Sequence, residues 1–159
     1  MKTTILFFLL TAAIINAGCR SLSKSKIYES FSIQTIASKT AYKYIDCSKG
    51  TGGDAFDIEG FGAGKGGTGS VRPSTIQCEV IKVGNNEFNE ADFFDALFIE
   101  VEKEIKVSGG TITRKSRPGL NNIVVEYEVK GREGKINISG KRSATLYDLT
   151  SEISEATKK

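Results

Sequence analysis

The chain contains no histidine. That absence removes His-based nucleophilic triads, most zinc sites and the usual titration switch near neutral pH. Cysteine is scarce, with three in 159 residues. An excess of one charge is also missing: 22 Lys/Arg stand against 19 Asp/Glu, a net charge of +3, which argues against a dedicated nucleic-acid binder. Long apolar runs are confined to Ile5 to Ile15, broken only by Thr11, short of the roughly 20 residues of a spanning helix. Carboxylates are plentiful, yet those of residues 87 to 104 fall mostly on one expected exposed helix face, with no second acidic cluster to pair with them. Ser and Lys are common, but no motif selects a Ser/Lys dyad. The expectation is no catalytic residue, no metal site and no cofactor.

What is present begins at the N-terminus. Lys2 gives a positive start, the apolar run follows, and Ala17-Gly18-Cys19 closes it with small residues, the layout of a secretory signal peptide. Asn16-Ala17-Gly18-Cys19 resembles the lipobox of bacterial lipoprotein precursors, departing from it at Asn16, where that family prefers an aliphatic residue. The likeness covers residues 1–19 only. It implies cleavage after Gly18, acylation of Cys19 and anchoring by buried acyl chains, each methylene contributing about 0.8 kcal/mol. The domain plan is therefore a signal peptide over 1–18, a lipidated Cys19 with a basic tether over 19–26, and one domain over 27–159. In families sorted this way an Asp after the cysteine retains the protein at the inner membrane. Arg20 stands there, so the resemblance implies the outer membrane where the host has two. Ordinary secretion is the alternative.

With Cys19 assigned to lipid, Cys47 and Cys78 are an even pair in an oxidising compartment, and a disulfide is expected. It would close a loop of about 30 residues and stabilise by about 3–4 kcal/mol on the chain-entropy model. Two free thiols are the alternative. Charge is unevenly spread: residues 87–113 hold seven acids and two bases, residues 114–142 eight bases and three acids. Either the two segments are neighbours and neutralise each other, or Arg114, Lys115, Arg117 and Arg132 contact an anionic partner.

From Ile27 to Asp46 the β-branched and aromatic residues suggest one or two short strands. Nine of the 17 glycines fall between Gly50 and Gly69, so residues 50–70 read as a flexible surface loop. Gly62-Ala63-Gly64-Lys65-Gly66-Gly67 matches G-x-G-x-x-G without a leading strand or a following helix, so no nucleotide is expected. Thr75 to Val83 alternates as a strand. Asn89 caps a helix whose Phe94, Leu97, Phe98, Val101 and Ile105 share one face, with Glu102 and Lys106 as an i,i+4 pair and Gly109 or Gly110 as its end. Thr111 to Thr113 reads as a short strand and Arg114 to Gly119 as a basic turn. Ile123, Val125, Tyr127 and Val129 form a half-buried strand, turned back by Gly131 to Gly134. Placing Val129 opposite Ile136 and Tyr127 opposite Ile138 keeps one apolar face. Thr145 to Ile153 reads as a last strand, with a helix as the alternative, and Glu155 to Lys159 as a frayed tail.

The fold expected is α+β, one amphipathic helix on an antiparallel sheet of four to five strands with a glycine-rich loop. The function expected is a membrane-anchored envelope lipoprotein, not an enzyme, that binds or supports another envelope protein or polymer. Two rivals are an inhibitor or immunity-type lipoprotein acting on an envelope hydrolase through the glycine loop, and an envelope enzyme using Ser/Lys or carboxylate chemistry.

Overall fold

The computed structural model describes residues 23–60, 69–85 and 87–158. The signal peptide, Cys19 and the motif over 62–67 lie outside them. In chain order the elements are α1 (Lys26–Ser30), α2 (Ile33–Lys39), β1 (Ile45–Asp54), β2 (Ile58–Glu59), β3 (Ser70–Val80), α3 (Glu90–Val107), β4 (Thr111–Gly119), β5 (Asn122–Val129), β6 (Arg132–Ser143) and β7 (Leu146–Thr157). The strands form one antiparallel sheet in the order β1-β3-β7-β6-β5-β4, with β2 also paired to β3. The antiparallel sheet with helices is as expected, but the fold is mostly β and not α+β with one helix on four to five strands. It is larger, with seven strands and three helices among the described residues.

Alternation decides which face is buried. Ile123, Val125, Tyr127 and Val129 on β5, Ile136 and Ile138 on β6, and Tyr147, Leu149 and Ile153 on β7 all point to the helical side and are buried. There α3 covers β4 and β5, α2 covers β1, β3 and β7, and α1 covers β7. Among the described residues no helix packs on the opposite face.

α3 forms as its sequence dictates. The Asn89 side chain accepts from the N–H groups of Ala91 (2.9 Å) and Asp92 (3.3 Å), and Glu90 and Asp92 occupy the positive first turn. Phe94, Leu97, Val101 and Ile105 are buried, joined by Phe93, while Phe98 is half-buried. Glu102 and Lys106 pair at 3.6 Å. The chain leaves at Gly109 with φ +80, where glycine has no Cβ penalty.

Four expectations fail along the chain. The stretch Ile27 to Lys39 is two short helices, not strands. Ser25 and Ser32 cap them, accepting from the N–H groups of Tyr28 and Thr35, and five- and seven-residue helices are too short to display a 3.6 period. Residues 50–70 are not all loop: β1 runs to Asp54 and β2 follows. Between Asp46↔Glu79 and Thr51↔Gln77, four residues of β1 oppose one of β3. Gly50 lies within that bulge, and just beyond it Gly52 has φ +137, where a Cβ would overlap the Thr75 carbonyl. Arg114 to Gly119 is strand, with Lys115 and Arg117 on the α3 side and Arg114 on the other. Glu155 is buried within β7, not in a frayed tail.

The β5–β6 register also differs. Lys130 and Gly131 make a two-residue turn with φ +46 and +76, the left-handed pair a tight hairpin requires. Val129 therefore faces Arg132, and Val125 faces Ile136. The offset from the expected pairing is even, so the apolar residues keep to one face.

Gly134 and Gly140 belong to β6 because two tyrosines cross it. A Cβ at Gly134 would overlap the ring of Tyr127, and one at Gly140 the ring of Tyr147. Both rings are buried. Gly134→Ala and Gly140→Ala are each expected to cost about 1–3 kcal/mol as overpacking, measured by urea unfolding. A loss below about 0.5 kcal/mol, the scale of neutral surface changes, would show that the rings move aside freely.

Candidate functional site

On the helix-free face of the sheet, β2 pairs with the start of β3. A groove of about 710 Å³ opens there, walled by Ile58, Val71 and Pro73 and floored by Glu126, Lys135 and Glu152. Register explains the composition. Val71 faces Ser154, which faces Lys135, which faces Glu126, while Pro73 faces Glu152. With Glu128 and Glu133 also lining it, the floor is acidic. Glu128 takes an ion pair from Lys158 at 2.7 Å. The Ser154 hydroxyl donates to the Lys135 carbonyl at 3.5 Å, so it is directed at backbone and not at a base. Among the described residues no cluster of three or more carboxylates or cysteines could hold a metal ion. The arrangement suits binding, with an apolar group against the wall and polar or cationic groups against the floor.

Beneath the groove, four residues distant in sequence meet. Glu155 accepts from the Ser25 N–H (3.1 Å) and hydroxyl, the Tyr127 hydroxyl (2.8 Å) and Arg132 Nε (3.0 Å). The Arg132 and Glu155 side chains are 6% and 0% exposed, so the pair lies in low dielectric where every bond to it counts. Burial, then the Glu155 charge, push the Tyr127 hydroxyl far up, which keeps it protonated and donating. Ser25 is at once the N-cap of α1 and a ligand of Glu155, so this cluster fastens the start of the described chain to the end of the sheet.

A second clamp lies beside it. Asp57 accepts from Lys24 Nζ (2.7 Å) and the Tyr28 hydroxyl (3.1 Å), and Lys24 also pairs with Glu59 at 3.3 Å. The Lys24 hydrogen bond holds the Asp57 carboxyl below its usual range, and the same bond raises Lys24.

Cys47 and Cys78 are joined by a disulfide with Cα atoms 4.5 Å apart. The four bases do not share a surface. Arg114 is opposite Glu126 on the helix-free face. Lys115 turns to α3 and pairs with Glu102 at 2.5 Å. Arg117 pairs with Asp95 there and donates to the carbonyls of Ala91 (2.9 Å) and Leu120 (3.1 Å). Arg132 is buried against Glu155. The acidic and basic segments are thus neighbours, as one of the two sequence readings had it.

The Glu155 cluster went unread in the sequence although a signal existed: Glu155 is in phase with Tyr147, Leu149 and Ile153, and Arg132 with Ile136 and Ile138, charges on an apolar parity. Comparison with protein-family models, curated proteins and solved structures gave no match to this chain.

Proposed function

We propose that the protein is a cell-envelope lipoprotein, anchored by acyl chains at Cys19, that acts by binding another envelope component and not by catalysis. The observation that carries the reading is an open, walled groove held close to the proposed anchor. Ser25 is fixed to Glu155, which lines that groove, and the six residue steps from Cys19 to Ser25 span at most about 22 Å. A partner engaged there is held near the membrane surface. Its chemistry follows the lining: apolar against Ile58, Val71 and Pro73, polar or cationic against the glutamates.

The anchor is tested by the intact and N-terminal peptide masses of protein extracted from host membranes, beside a Cys19→Ser control. The expected result is a chain beginning at acylated Cys19 and a control that accumulates uncleaved. An unmodified mature chain in the medium would overturn the anchoring. For the groove, photo-crosslinking side chains at Glu126 and Glu152 are expected to capture one common partner that Ile99, on the helical side, does not. Equal capture from both faces would count against the groove as the binding surface.

A further inference from the structure

We propose that the turn between β1 and β2 is a membrane-contact element, with Phe56 and Ile58 entering the bilayer that holds Cys19; the inference rests on acylation of Cys19. Phe56 is 93% exposed, the most exposed large apolar side chain among the described residues, and Ile58 is 46% exposed. Single exposed apolar residues need no explanation. These two are set apart by how the turn is held and where it lies.

The backbone of the turn is tied down on both sides. The Ala55 N–H donates to the Pro73 carbonyl at 2.8 Å, and the Gly60 N–H donates to the Gly69 carbonyl at 2.7 Å. Asp57, between the two apolar residues, points the other way and is clamped by Lys24 and Tyr28. Within β2, Glu59 turns to Lys24, so Ile58 faces away from the clamp, and Phe56, two residues before it, is exposed. A rigid display of apolar side chains loses little conformational entropy when it is covered, unlike a floppy loop.

The position follows from the same clamp. Lys24 is five residues after Cys19, a distance of at most about 18 Å of extended chain, and its ammonium touches the turn. The turn therefore cannot stand far from the lipid once Cys19 is acylated. Lys24 pairs with both Asp57 and Glu59 and offsets one of their two negative charges, and the exposed Lys26 lies two residues further along the chain. Interfacial residues of this kind add to acyl anchoring and also fix which way the domain faces. With this edge held to the bilayer, Ile58 is covered by lipid, and Val71 and Pro73 remain as the apolar wall of the groove beside it.

The chain has no tryptophan, so Phe56→Trp introduces a single reporter at a site where the larger ring meets only solvent. The full chain is processed in its host, its N-terminal mass is read, and the purified protein is placed in vesicles of zwitterionic and anionic phospholipid, with and without acyl chains brominated near the headgroup. Ile99→Trp, on the exposed side of α3, is the reference. With acylated Cys19, the indole emission of the Phe56→Trp variant is expected to shift to the blue and to lose most of its intensity in brominated vesicles, while that of the Ile99→Trp variant stays that of an indole in water. If Cys19 is acylated and the Phe56 variant emits as the Ile99 variant does, the contact element is refuted and the anchored binding reading stands. If Cys19 carries no lipid and the protein does not partition to vesicles, both fall together. Circular dichroism matching the wild type confirms that either variant is folded.

Discussion

Glu155→Ala is expected to destabilise the protein by about 3–5 kcal/mol, the range for removing one partner of a buried ion pair. On a domain of this size that is a fall of roughly 10–20 °C in Tm. The carboxylate is the common acceptor for Ser25, Tyr127 and Arg132. Alanine removes the Glu155 carboxylate from a guanidinium that is 6% exposed and from the buried phenol of Tyr127 that donates to it. The damage also travels along the chain. Ser25 is the cap of α1, and Ile27, Tyr28 and Phe31 are buried only while that segment stays docked. Amide exchange in residues 25–31 is therefore expected to rise more than in α3, whose cap and ion pairs do not involve Glu155. The comparison that isolates electrostatics is Glu155→Leu combined with Arg132→Met. Replacing both partners by apolar side chains of similar volume should recover much of the loss, because the uncompensated charge is gone. A single alanine variant within about 1 kcal/mol of wild type, the scale of an exposed pair, would mean that the cluster is solvated in solution.

The same cluster marks where reading from sequence ends. Short-range physics was legible: the Asn89 cap, the helical face from Phe94 to Ile105, and the parity of β5, β6 and β7, because each follows from spacing within one element. Ser25 and Ser32 as caps were equally local, but the β-branched residues of Ile33 to Ile36 outweighed them. Side-chain pattern within four or five residues cannot separate a short helix from a strand when tertiary contacts decide. The glycines misled for a related reason. Their entropy argues for a loop, yet Gly52 is required in a strand because its neighbour's carbonyl fills the place of a Cβ. The β5–β6 register turned on whether two or four residues close the hairpin, and parity is blind to an even offset. The groove could not be read at all. It exists because residue 152 comes to face residue 73 and residue 58 to face residue 71, pairings set by strand order and not by any local motif.

Removing the disulfide, as Cys47→Ala with Cys78→Ala, is expected to cost about 3–4 kcal/mol in urea unfolding. The two cysteines are 31 positions apart, and most of the expected loss comes from the unfolded chain. Uncrosslinked, the segment between them gains freedom that folding must then remove. This origin has its own signature. The variant's unfolded state is more expanded, so the urea dependence should steepen as well as shift to a lower midpoint. The native side adds a smaller term, since Cys47 and Cys78 are buried at 2% and 0% exposure and alanine leaves each site underfilled. The bond also sits at the mouth of the β1 bulge: Asp46 pairs with Glu79, and the next pairing is Thr51 with Gln77. Without the crosslink the strand beyond the bulge is held by its ladder alone, and amide exchange at residues 51–54 should speed up before exchange at Ile45 does. An unchanged midpoint and an unchanged slope, with free thiols found on alkylating the unfolded wild type, would show that the bond is not formed in the purified protein. A lower midpoint at an unchanged slope would instead assign the stabilisation to packing around the sulfurs.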